Sequence, residues 1–177
     1  YQKPHPKVRV AVESKDTFAL TGSLGYPIFM RHQMEISQLQ ELLHQYQEAR
    51  HLAGFAGPND VILQVGAYVA ETAEQAYLDP QASTMHRVRV IQQNLNQVGD
   101  QETYERLKRS SEVTYDELLP RMAFGTPEAV AEKIQQYREY LGITGISVDV
   151  NPGGQIPHEK VMNSMRLLSE EVMPLFR

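Results

Sequence analysis

The spacing of apolar positions changes several times along the chain. Residues 8–12 (VRVAV) are short and β-rich, and Ser14 stands where a helix cap is expected. The helix it would open runs over about 15–24 and stops at Gly25. Residues 26–30 (YPIFM) read as a second short strand. Over 35–53, Ile36, Leu39, Leu42, Leu43, Tyr46 and Ala49 recur at spacings of three and four, which places them on one helical face. The Gly54–Asn59 turn should end that helix. Residues 61–70 (VILQVGAYVA) form a nearly continuous apolar run with one glycine, the pattern of a strand covered on both faces.

Residues 71–121 are more polar, with helical pieces over 73–97 and about 100–111 and no clear strand. Excursions of that length tend to be lids or binding loops. Thr126-Pro127-Glu128 combines a hydroxyl cap, a proline whose missing N–H costs nothing there and an acid in the first turn. Val130, Ile134, Tyr137 and Leu141 stripe the helix that follows, and Gly142 closes it. Residues 145–151 alternate Ile146, Val148 and Val150 with Ser147, Asp149 and Asn151, predicting a strand with one packed and one polar face. A last helix after Pro157 is striped by Val161, Met165, Leu168 and Val172. Strand and helix thus alternate four times, which predicts an α/β fold with parallel pairing. Four units fall short of an eight-stranded barrel, which takes about 250 residues. An open sheet and half a barrel both fit.

Composition narrows the function classes. At 177 residues and 41% hydrophobic content the chain can bury its own core, and one domain over 1–177 is the expectation. Seventeen basic against 22 acidic residues give a net charge of −5, which argues against a general nucleic-acid or anionic-membrane surface but not against one local phosphate site. The absence of cysteine excludes disulfides, thiolate metal sites and cysteine nucleophiles, and is compatible with the cytoplasm as location. No apolar run approaches the roughly 18 to 20 residues that span a bilayer, so no membrane partner is expected. The chain opens on Tyr1 and enters a strand-like run within eight residues, so a fragment of a longer protein is expected.

In parallel α/β folds ligands gather at the carboxyl ends of strands. The residues there are Glu13, Ser14 and Thr17, then Arg31 and His32, then Glu71 and Thr72, then Asn151, Gly153 and Gly154. A helix start at Ser14 offers free N–H groups, the positive end of the helix dipole and two hydroxyls one turn apart, which suits a phosphate monoester. The alternative is that Ser14 only caps its helix. The Asn151-Pro152-Gly153-Gly154 loop would let backbone approach a flat ligand, or is a plain turn. Arg31-His32 could contact a ring or substrate, or end a strand in solvent. The six histidines form no metal template, His44 and His51 reading as solvated helix positions, so no metal is expected. Nucleophile-elbow and glycine-rich nucleotide signatures are absent, and no catalytic acid or base stands out. That favours a cofactor carrying the hard step.

The stretches "YQKPHPKVRVAVESKDTFALTGSLGYPIF", "GAYVAETAEQA", "FGTPEAVAEKI" and "NPGGQIPHEKVMNSMRLLSEEVMPLF" occur in that order. Together they resemble the C-terminal half of the bacterial-luciferase-like, flavin-dependent monooxygenases. The resemblance implies strands five to eight of a TIM-type (β/α)8 barrel, with 8–12 the fifth, 145–151 the eighth, and 71–121 a helical insert after the seventh. It implies that Glu13, Ser14 and Thr17 hold a flavin phosphate, that Gly153 and Gly154 border the cofactor, and that the insert shapes the substrate side. The activity implied is oxygenation of a small organic substrate with reduced FMN and O2, served by a flavin reductase, in a full-length protein that is a homo-oligomer. Two other readings stand beside it: a 5-deazaflavin coenzyme with hydride transfer, and a non-catalytic half that binds flavin phosphate or docks with a partner.

Overall fold

The computed structural model describes residues 3–32 and 34–176, so Tyr1 and Gln2 of the opening stretch lie outside the described residues. The elements run β1 (Val10–Val12), α1 (Lys15–Ser23), β2 (Ile28–Arg31), α2 (Ile36–Leu52), β3 (Val61–Val69), α3 (Ala73–Asn94), α4 (Gln101–Ser111), α5 (Tyr115–Leu118), β4 (Ala123–Gly125), α6 (Pro127–Leu141), β5 (Gly145–Asp149) and α7 (His158–Leu167). The strands form one sheet in the order β1-β2-β3-β4, with β5 also paired to β3, and the three pairings β1 with β2, β2 with β3 and β3 with β4 are all parallel. Two compact units divide the chain: Tyr1–Val65 with Ile134–Val148, and Gly66–Lys133 with Asp149–Arg177.

In the first unit, Val10 lies opposite Ile28, and Ile28 and Met30 lie opposite Val61 and Leu63. Side chains alternate across a strand, so Val12, Ile28, Met30, Val61, Leu63 and Val65 form one buried face. Ala11 on the other face is exposed, and Phe29, Ile62 and Gln64 are half-buried. The expectation that 61–70 is covered on both faces therefore fails for its first half. Helix α1 packs on α2 closely enough that a Cβ on Gly22 would stand 2.4 Å from the Tyr46 carbonyl oxygen. Tyr46 and Arg50 of α2 donate to the carbonyls of Tyr26 and Gly25, each at 2.9 Å, and so fix the turn that follows α1. Gly25 turns there at φ +74°. Ile134, Tyr137 and Leu141 are buried as the stripe predicts, and Gly142 ends α6 at φ +59°.

The second unit holds the strand missing from the sequence reading. Ala123–Gly125 pairs with Ala67–Val69. Three residues show no period of two, and the run merges into the Thr126 cap of α6, so the pattern carried no signal. Helices cover 73–94 and 101–111 as expected. Two further details depart from the pattern. β5 ends at Asp149 and is half-buried throughout, without the expected packed and polar faces. Met165 is 43% exposed, while Ser164 and Leu167 are buried. The Val69 N–H, left unpaired at that edge of β3, donates to Ser164 Oγ at 2.8 Å, which turns the Ser164 side of α7 inward. Among the described residues, no helix is long and apolar enough to cross a membrane.

Candidate functional site

The loop after β1 is shaped by Ser14. Its backbone is extended (φ −101°, ψ 154°), and its hydroxyl accepts from the Thr17 N–H at 3.4 Å. The Ser14 N–H donates to Thr17 Oγ1 at 3.1 Å, closing a reciprocal capping box. Thr17 Oγ1 also donates to the Ser14 carbonyl at 2.7 Å, and the two hydroxyl oxygens lie 3.1 Å apart. Ser14 therefore caps its helix. Lys15 and Asp16 occupy the first two helical positions, whose N–H groups point out of the helix end without an intrahelical acceptor. Ser14 and Glu13 are exposed and Thr17 half-buried, so the polar cluster opens to solvent. The helix N-terminus and the Ser14 hydroxyl proton stand open to an anion such as a phosphate, whereas the Thr17 hydroxyl proton is spent on the Ser14 carbonyl and would have to turn from it.

The loop after β5 is built on a turn. Gly154 N–H donates to the Asn151 carbonyl at 2.8 Å, and Gly153 has φ +89°. With proline before it, this is a type II turn, in which the third residue needs positive φ. Asn151 Oδ1 accepts from the Ile156 N–H at 2.9 Å, closing the far side. Ser83 in α3 binds the loop twice, donating to the Pro152 carbonyl and accepting from the Gln155 N–H, both at 2.8 Å. A Cβ on Gly153 would fall 1.8 Å from the Ser83 carbonyl oxygen, so this glycine is required by α3. Gly154, at φ +76°, has nothing within 4 Å of its absent Cβ and faces open space. Open space beside Gly154 fits the approach of a flat ligand. At Gly153 the gap is filled by protein.

The other strand ends are engaged within the protein. Arg31 Nε donates to Gln64 Oε1 at 3.0 Å. His32, expected in solvent or on a ligand, is 8% exposed, with Nδ1 3.1 Å from Tyr137 Oη and the rings edge to face at 5.0 Å. Burial raises the Tyr137 hydroxyl well above its ordinary pKa, so it stays protonated. Thr72 caps α3 through the Gln75 N–H at 3.2 Å. Beside it a cavity of about 240 Å³ is lined by Tyr68, Glu71, Gln75, Asp79, Lys160 and Asn163 among others. Asp79 accepts from Tyr68 Oη at 3.1 Å and from Lys160 Nζ at 2.5 Å. Asn163 Nδ2 donates to Glu71 at 2.9 Å, and this bond is the main reason its carboxyl sits below the usual range. Burial first, and then Asp79, push the Tyr68 hydroxyl up. Among the described residues no group of three or more metal-ligating side chains is gathered.

Glu13, Ser14 and Thr17 thus share one loop of the first unit, and Gly153 and Gly154 share one loop of the second. Ser83 was missed, because a serine in the middle of a helix carries no pattern that marks it.

Residues 1–145 match the family model of the luciferase-like monooxygenases. The chain belongs to this family. The matched residues include the Glu13–Thr17 loop and stop before the glycine loop. No match is found among the curated proteins. Several solved structures share the fold. The monooxygenase RslO1 from Streptomyces bottropensis is 24% identical over 99% of this chain and 50% of its own, with a TM-score of 0.68. The oxygenating constituent of 3,6-diketocamphane monooxygenase from Pseudomonas putida, in complex with FMN, is 18% identical over 96% of this chain and 48% of its own, at 0.70. The coenzyme F420 dependent tetrahydromethanopterin reductase from Methanopyrus kandleri is 15% identical over 96% and 50%, at 0.64. The chain therefore spans about half the length of these luciferase-like structures.

Proposed function

We propose that the chain carries strands five to eight of a TIM-type (β/α)8 barrel in a flavin-dependent monooxygenase that uses reduced FMN and O2 to oxygenate a small organic substrate. β1, β2, β3 and β5 take the places of those four strands, and the 71–121 segment lies on the substrate side. Parallel pairing and coverage of about half of each similar structure support this placement. The observation that carries the reading is the capped, solvent-open start of α1 at the carboxyl end of β1, inside the stretch matched to the family.

FMN, when bound, supplies the activation of O2. The Ser14 hydroxyl donates to its phosphate, the Thr17 hydroxyl turns from the Ser14 carbonyl to do the same, and the backbone N–H groups that open α1 add the helix dipole. On this reading the Glu13 carboxylate must turn away from the phosphate, so that its backbone alone borders the site. Gly154, with open space in place of a side chain, lets the loop backbone meet the ring. No residue of the chain is assigned here as a catalytic acid or base, and the full-length protein is taken as a homo-oligomer served by a flavin reductase.

Calorimetric titration of the chain with FMN tests this, repeated on Ser14→Ala/Thr17→Ala. Micromolar binding that the double variant loses supports the site, and a folded chain that binds no FMN counts against it. A second reading, hydride transfer with a 5-deazaflavin coenzyme, draws on the coenzyme F420 dependent reductase among the similar structures. That coenzyme shares the phosphate-bearing tail, so titration with both cofactors separates the two. A third outcome, flavin binding with no O2 consumption in the presence of substrate, would mark a binding half that docks with a partner.

A further inference from the structure

The loop Asn151–Gln155 has one peptide whose direction is not set by the turn's own hydrogen bond. Type I and type II turns both keep the bond from the fourth N–H to the first carbonyl, and they differ by a flip of the central peptide. Here the first is the Gly154 to Asn151 bond, and the central peptide is Pro152–Gly153. Only the bond from Ser83 Oγ to the Pro152 carbonyl, at 2.8 Å, depends on which way that peptide faces. Ser83 is 2% exposed and sits on α3, so its hydroxyl is fixed by a helix rather than by the loop. The C=O and N–H of a trans peptide point in opposite directions. With the Pro152 carbonyl on Ser83, the Gly153 N–H faces away from that hydroxyl, and Gly153 is half-buried beside the exposed Gly154.

We propose that Ser83 is a positioning residue: it locks the Pro152–Gly153 peptide in the type II orientation and so presents the Gly153 N–H as a preset donor to an acceptor atom of the flavin ring. The proposal rests on the flavin reading above and assigns the donor within it. Proline and glycine already favour this turn, and the second bond, Gln155 N–H to Ser83 Oγ at 2.8 Å, ties the loop exit to the same hydroxyl. One side chain therefore fixes both the peptide direction and the loop's far end. A donor held in place before binding spares the ligand the cost of ordering it.

Amide spectra of the isotope-labelled 177-residue chain, with and without FMN, test the assignment in the wild type, Ser83→Ala and Ser83→Thr. In the wild type, FMN shifts the Gly153 amide. In Ser83→Ala the Gly153 resonance moves without ligand, the Gln155 amide exchanges roughly tenfold faster, and FMN binds about five- to tenfold more weakly. Ser83→Thr, which restores the hydroxyl, returns all three toward wild type. If Ser83→Ala does not fold, Ser83→Cys keeps the side-chain shape with a poor donor and displaces the same Gly153 resonance. A ligand-free Ser83→Ala spectrum with Gly153 and Gln155 unchanged overturns the lock. FMN that shifts Ser14 and Thr17 but not Gly153 overturns the donor role and leaves the flavin reading standing. FMN that shifts nothing overturns the flavin reading and the donor role together, and the ligand-free comparison still decides the lock.

Discussion

Ser14→Asp separates the two roles that one serine can play. The cap bond from the Thr17 N–H is 3.4 Å long, at the weak end of the range, so Ser14→Ala should cost about 0.5–1 kcal/mol of stability. Aspartate is as good a cap as serine, and its charge at a helix start adds about 0.3–1 kcal/mol. Ser14→Asp should therefore be as stable as the wild type or slightly more so. A phosphate meets the opposite consequence. Its charge of about −1.5 to −2 would face a new carboxylate at a solvent-open position, where each pair of unit charges at 4 Å is worth about 1 kcal/mol in water. The sum, about 2 kcal/mol, weakens FMN roughly 30-fold. Riboflavin lacks the phosphate and should bind both proteins equally. Urea unfolding gives the stability, and fluorescence titration with FMN and riboflavin gives the affinities. The reasoning is refuted if Ser14→Asp binds FMN as tightly as the wild type, or if it loses FMN and riboflavin to the same extent.

Gly153→Ala should be among the most damaging single substitutions, because its Cβ meets the Ser83 carbonyl at 1.8 Å on a backbone at φ +89°. Gly54→Ala, at φ +80° with nothing within 4 Å, should cost only about 1 kcal/mol, so equal urea midpoints for the two would contradict the packing argument. Ser164→Ala leaves the buried Val69 N–H without its acceptor and should destabilise by about 1–3 kcal/mol, read from the same unfolding curves. Burial pushes Asp60 up, but the hydrogen bond and charge of Arg9, with Lys7 and Thr144, outweigh it and hold the carboxyl below its ordinary value of 3.8. A lowered folded value means the stabilisation is complete above about pH 4 and is lost as pH falls through the folded value. Asp60→Asn should thus lower stability at neutral pH and flatten its fall below pH 4; parallel curves for the two proteins would rule this out.

What could be read in the sequence was local. Ser14, Gly25, Thr126 and Gly142 mark helix ends because capping and positive φ restrict residue choice at single positions, and each sits where its helix begins or ends. The stripe Val130, Ile134, Tyr137, Leu141 is long enough for its spacing to be unambiguous. β4 was illegible for the opposite reason, being three residues whose strand character comes from the Ala67–Val69 edge it joins. Met165 is exposed where the stripe placed it inward, and its neighbour Ser164 is buried instead, accepting from a backbone N–H distant in sequence. His32 is buried by Tyr137, 105 residues away, a pairing that no spacing rule contains. The candidate site divides in the same way: Ser14, Thr17, Gly153 and Gly154 announced themselves through local backbone demands, and Ser83 did not.

That division bears on how ligand and fold share these loops. Every feature that drew attention at Ser14 and Gly153 has a complete structural use: a capping box in one loop, and a type II turn held by Ser83 in the other. Structural use does not compete with binding when the groups left over differ from the groups consumed. In the first loop the cap consumes the Thr17 N–H, and the outward N–H groups of Lys15 and Asp16 remain at the helix start. In the second, Ser83 consumes the Pro152 carbonyl, and the N–H on the far side of the same peptide remains. Hydrogen bonds made within the protein hold the donors that a phosphate or a ring would use, so both loops are formed before ligand arrives. A ligand meeting either loop gains interactions without ordering backbone, which is the condition under which a few backbone donors can hold it tightly.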